Sequence, residues 1–176
     1  YIATHGLPKS EAVCCELDRA HLSRMKNLVI EATKSFESFD YAAALQMAES
    51  EFWAFCDHYV ELVKARAYSE ESPSERASAV FTLRMSLKIF LRLFAPFIPY
   101  VTDEIWSWSI QADSGCSVHR SSWPNQKEFE GIPEPAYSDS LEAARELLGY
   151  IHHEKSKQQK SLKWPVALVE VVGEDS

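Results

Sequence analysis

The chain has 176 residues, 20.0 kDa, a net charge of −8 and an isoelectric point near 5.3. Its 46% hydrophobic and 12% aromatic content excludes a disordered chain, and the length suits one domain with a small appendage. No stretch approaches the roughly 18 uncharged apolar residues of a membrane span, and no basic segment followed by an apolar run opens the chain. Five glycines, with neither GxGxxG nor a Walker A pattern among them, argue against phosphate-cradling loops. Cys14, Cys15, Cys56 and Cys116 form no CxxC pair, which points to a reducing, cytoplasmic setting.

Tyr1-Ile2-Ala3-Thr4 reads as the tail of an element broken at His5-Gly6-Leu7-Pro8, so the chain is expected to be a piece of something longer. From Leu17 one stripe recurs at helical spacing: Leu17, His21, Met25, Leu28, Ala32 and Phe36. It predicts an amphipathic helix ending near Ser38. Asp40 is placed to cap a second helix. Two adjacent stripes follow, Tyr41, Leu45, Ala48, Phe52, Phe55, Tyr59, Leu62 and Trp53, Cys56, Val60, Val63, Ala67. They predict a wide buried face, and 40–68 as one helix would run roughly 43 Å, a length normal for a bundle.

Ser72 with Pro73 at the first position opens a third helix, with Val80, Leu83, Leu87, Phe90 and Phe94 as its stripe. Pro96 and Pro99 end or kink it. A short fourth helix starts near Pro99, with Val101, Ile105 and Trp108 as its apolar face. Residues 111–137 show no period and read as a long loop with a short extended piece at 117–120. Asp139 and Glu142 resemble a capping box for a helix marked by Leu141, Ala144, Leu148 and Ile151. The Val-rich stretch 164–172 reads as a strand. The expected architecture is mainly α: an antiparallel helical bundle with its following loop over 1–137, and a small α/β helix-loop-strand appendage over 138–176.

Catalytic constellations are scarce. His5, His21, His58, His119, His152 and His153 include no HExxH. Cys116 and His119 lack the further pair that a zinc site needs, so no metal is expected. Asp57 and Glu61 are one turn apart, but Glu61 also faces Lys64 as a surface pair. Lys155, Lys157, Lys160 and Lys163 stand against Glu154 alone in 151–164. A basic run in an acidic chain has the shape of a phosphate-contacting element, with a solvated lysine-rich loop as the alternative.

Phe52-Trp53-Ala54-Phe55-Cys56-Asp57-His58-Tyr59 resembles the Trp-Phe-Cys-Asp helix of the valyl-tRNA synthetases. Ala95-Pro96-Phe97-Ile98-Pro99 with Thr102-Asp103-Glu104-Ile105-Trp106, and Ser117-Val118-His119 with Trp123-Pro124, resemble two further signatures of that family in the same order. The tail from Lys155 to Leu162 is similar to a lysine-serine loop of some members. The resemblance covers roughly 17–124. It implies the helical anticodon-binding domain of a class Ia ligase, with the tRNA-Val anticodon loop and the rest of the synthetase in cis as partners, and neither membrane nor DNA. No HIGH or KMSKS motif occurs, so no catalytic residue and no cofactor are expected in this piece. ATP and magnesium belong to the catalytic part of the full-length enzyme.

In an up-and-down bundle the start of the first complete helix and the end of the next share a pole. That pole collects Tyr1, Lys9, Arg19, Lys64, Arg66 and Tyr68 as candidate anticodon-loop contacts, with cations for phosphates or base edges and a ring for stacking. The tail lysines Lys155, Lys157, Lys160 and Lys163 are a second set. Trp53, Cys56, Trp106 and Trp123 read as packing. Competing readings are the equivalent domain of an isoleucyl- or leucyl-tRNA synthetase and a helical protein-interaction module.

Overall fold

The computed structural model describes residues 10–110 and 115–170. Among the described residues six α-helices carry the fold: α1 (Glu16–Glu37), α2 (Tyr41–Ala54), α3 (Val60–Tyr68), α4 (Pro73–Phe94), α5 (Pro99–Ser109) and α6 (Ser140–Lys157). Short 3-10 turns occupy Ser10–Ala12, Val118–Arg120 and Gln126–Phe129. Among the described residues no helix is long and apolar enough to cross a membrane.

α1 ends in a left-handed cap. The Asp40 N–H reaches the Ser35 carbonyl and the Phe39 N–H the Phe36 carbonyl, which is the Schellman pattern with Phe39 at φ 63° where glycine is usual. The chain therefore reverses within three residues, and Asp40 accepts the Ala43 N–H to start α2. α2 and α3 are joined by a π turn, Phe55–Tyr59, in which the Val60 N–H bonds the Phe55 carbonyl. The expected single helix over 40–68 thus contains an extra residue. Beyond the turn Val63 of the second stripe is the deepest residue, with Leu62 half-buried against the same core, and Arg66 follows Val63 one turn later on the same face.

The stripes on α4 and α5 also differ from expectation. On α4 Phe90 of the expected stripe is buried, but it is joined by Ser78, Ala79, Thr82, Ser86, Ile89 and Leu93, while Val80, Leu83 and Leu87 are only half-buried. Small side chains there let α4 approach α1 closely, and the serines meet polar partners on α1. On α5 the buried residues are Thr102 and Trp106, while Val101 and Trp108 face solvent. Burying Thr102 and Trp106 is tolerated because their polar groups are satisfied: Thr102 Oγ1 donates to the Ile98 or Pro99 carbonyl, and Trp106 Nε1 to that of Cys116. Trp106 is packing, as expected, and Trp123 is half-buried against Phe36 with its Nε1 donating to Thr33 Oγ1. Trp53 is not: it is 56% exposed, touching Phe52 edge-on.

The main core joins Leu22, Met25 and Val29 of α1 to Ala48, Phe55, Tyr59, Val63, Ile89, Phe90 and Leu93, and includes Leu141 of α6. Each fully buried side chain of this size contributes about 1.5–3 kcal/mol. α6 is held on α1 through this shared core and the Arg24–Glu142 pair. Its expected capping box is not formed: Asp139 caps with no side-chain hydrogen bond, and Ser72 likewise precedes α4 without one. A second core gathers Leu91, Ala95, Trp106, Ile110 and Val118. Loop 115–137 is pinned to α4 by Arg92, which gives both terminal nitrogens to Glu128 at 2.8 and 2.7 Å.

Two expectations for extended chain are corrected. Val118–Arg120 is a 3-10 turn started by Ser117, whose hydroxyl accepts the His119 N–H. The strand expected over 164–172 is not formed over 164–170, where every residue is exposed; 171–172 lie outside the described residues. A lone Val-rich segment has no ladder for its backbone, and alternation alone does not supply one.

Candidate nucleic-acid interface

The end of α3, the start of α1 and the start of α4 meet at one pole, held by Asp18. This carboxylate is fully buried, yet it accepts four hydrogen bonds. Tyr59 Oη donates at 2.7 Å, Ser78 Oγ at 2.6 Å, and Arg66 gives Nη2 at 2.7 Å and Nη1 at 3.0 Å. A buried charge is tolerable only when paired and hydrogen-bonded in this way. Burial lowers the proton affinity of Arg66, but the Asp18 hydrogen bonds and charge more than offset it, so the guanidinium stays protonated above its ordinary range. Burial, with the Asp18 charge beside it, pushes the Tyr59 phenol well above its usual value and keeps it a donor.

One helical turn along α1, His21 is buried against Tyr59, with ring centroids 4.0 Å apart, and Phe55 at 5.4 Å. Its Nε2 lies 2.9 Å from Ser86 Oγ. Ser86 spends its hydrogen on the Thr82 carbonyl, so His21 is the donor. Burial, with Arg24 second, lowers its pKa to about 3, and it is neutral.

Around this support stand the expected RNA contacts. Tyr68 ends α3 with its ring 83% exposed. Lys64 is exposed and paired to Glu61 on its own helix. Arg19, in the first turn of α1, is half-buried and gives Nε to the Val13 carbonyl. Arg66 faces inward to Asp18. Tyr1 and Lys9 lie outside the described residues.

The tail forms a second basic element. Lys155 Nζ donates to the Leu162 carbonyl and folds the loop back on α6, Lys157 pairs loosely with Glu154 at 3.6 Å, and Lys160 Nζ sits 4.7 Å from the Trp164 ring centroid. Lys163 lies beside Trp164 on the same exposed loop.

Sequence periodicity missed Asp18, Ser78 and the His21–Ser86 pair as a unit. A signal was present: Ser78, Thr82 and Ser86 recur every four residues on α4, and Asp18 stands seven residues before the core residue Met25 on α1. Among the described residues no three His, Cys, Asp or Glu side chains converge as a metal site.

Residues 18–171 match the family described as the anticodon-binding domain of tRNA ligase. The chain is 41% identical over 165 residues to a valine–tRNA ligase of Thermobifida fusca, covering 94% of this chain and 18% of that protein. It is 41% identical over 176 residues to that of Salinispora tropica, covering 91% and 20%. With the valine–tRNA ligase of Cutibacterium acnes it shares 39% over 151 residues, covering 85% and 17%. It thus spans about a fifth of the length of the curated relatives it matches. A helical bundle with the exposed Tyr68 ring and Lys64 at its pole fits that description, and the match runs over nearly all of it. The chain belongs to the anticodon-binding domain family of the tRNA ligases.

Proposed function

We propose that this chain is the anticodon-binding part of a cytoplasmic valine–tRNA ligase and that its α1/α3 pole lies against the anticodon loop of tRNA-Val. The observation that carries this reading is the family match over 18–171 together with some 40% identity to three valine–tRNA ligases. At the pole Tyr68 supplies an exposed stacking plane, worth about 1–3 kcal/mol per base. Lys64 and Arg19 supply cations that can leave weak partners for a phosphate. Arg66 positions the end of α3 through Asp18. The tail lysines Lys155, Lys157, Lys160 and Lys163 neutralise further phosphates. The catalytic work, with ATP and magnesium, belongs to the rest of the ligase in cis, since HIGH and KMSKS do not occur in these residues.

The test is a titration of this chain with anticodon hairpins carrying valine, isoleucine or leucine anticodons at two salt concentrations. The valine hairpin is expected to bind tightest, with affinity falling as salt rises. Equal binding of the three hairpins, or binding indifferent to salt, would overturn the reading.

A further inference from the structure

The linker into α1 carries adjacent cysteines whose sulfurs lie 3.8 Å apart. Cys14 is exposed and Cys15 half-buried, and both thiols are free. Their backbone amides are committed: the Cys14 N–H donates to Ser78 Oγ at 3.2 Å and the Cys15 N–H to the same oxygen at 3.4 Å. Ser78 in turn donates to Asp18. The pair is therefore linked through the single Ser78 hydroxyl, by two hydrogen bonds in series, to the buried carboxylate that ties α1, α3 and α4 together.

We propose that Cys14 and Cys15 form a redox-modification site, closing to a vicinal disulfide when a hydroperoxide oxidises them and releasing their amides from Ser78. The exposed Cys14 thiolate attacks the terminal peroxide oxygen; the O–O bond breaks, an alcohol or water leaves, and Cys14 becomes a sulfenic acid. The Cys15 sulfur then attacks the Cys14 sulfur. The S–S bond forms, the S–O bond breaks, and the departing hydroxide takes the Cys15 proton as water. Two electrons pass from the two thiols to the peroxide. Burial raises the Cys15 thiol above its usual value, which leaves the attack on the peroxide to the exposed Cys14.

Adjacent Cα atoms are about 3.8 Å apart, below the usual span of a disulfide, so the ring is strained and easily reduced. Closing it also turns the peptide between the two residues. Both amides then cannot keep pointing at one serine oxygen.

The experiment uses this chain, reduced and then treated with tert-butyl hydroperoxide, alkylated with iodoacetamide and digested with trypsin. Cleavage after Lys9 and Arg19 leaves both sulfurs in one peptide that holds no other cysteine. That peptide is expected to escape alkylation and weigh two hydrogens less, and to become doubly alkylated after dithiothreitol. In Cys15→Ser, dimedone is expected to trap a sulfenic acid on Cys14. Oxidation should lower the thermal midpoint by about 2–4 °C, reversibly. A peptide still doubly alkylated after peroxide, or a Cys14 sulfinic acid with Cys15 alkylated, would overturn the disulfide. An unchanged midpoint of the oxidised chain would overturn the release from Ser78.

Discussion

Asp18 and Arg66 meet through two hydrogen bonds of 2.7 and 3.0 Å, and this pair joins the first turn of α1 to the last turns of α3. It makes one support out of two helix ends that carry the candidate RNA contacts. Asp18→Asn keeps the shape and removes the charge, and is expected to lower stability by about 1.5–3 kcal/mol, the range for hydrogen bonds to a charged group. Urea unfolding checks it; an unchanged midpoint would show that the pair contributes nothing net.

Tyr68 and Arg66 separate contact from support. Tyr68→Ala should leave the unfolding midpoint where it is and weaken hairpin binding by about 1–3 kcal/mol. Arg66→Ala should lower the midpoint, because it leaves Asp18 buried with a lost partner. If Tyr68→Ala binds the valine hairpin like the parent chain, the ring is not a stacking plane.

His21 is neutral in the folded chain, with a pKa of about 3 against 6.5 when exposed. Between those values the unfolded chain binds a proton that the folded chain refuses, so stability is full above about pH 6.5 and falls as pH drops toward 3. The upper part of that window, above pH 4.5, lies clear of the lowered carboxylates Glu16, Glu128 and Glu134. His21→Gln should flatten the slope there. Urea midpoints at pH 7 and 5 for both chains measure it.

Phe39 holds a left-handed conformation at φ 63° with its ring 79% exposed. A side chain in that region costs roughly 1–2 kcal/mol, and little packing is lost with this ring. Phe39→Gly is therefore expected to raise stability by about 1 kcal/mol, seen as a higher thermal midpoint, whereas Phe39→Val should lower it.

Helix-forming stretches along the chain, the Asp40 cap, the proline boundary at 73 and the shared pole of α1 and α3 were all readable from residue order. So were Tyr68 and Lys64 as exposed groups at that pole. Three things were not. A π turn joins α2 to α3, α4 and α5 bury Ser78, Thr82, Ser86 and Thr102, and 164–170 form no strand. Arg66, named as an RNA contact, gives its guanidinium to Asp18, a partnership no local pattern announced.

Periodicity is a property of neighbours a turn apart, so a chain announces its helices and their ends without reference to anything distant. Which polar group goes inside is a different matter, because it depends on whether a partner arrives from elsewhere. Asp18 is buried only because Tyr59, Arg66 and Ser78 come to it from 41, 48 and 60 residues away. That meeting is made by the packing of α1, α3 and α4, and no local pattern encodes it.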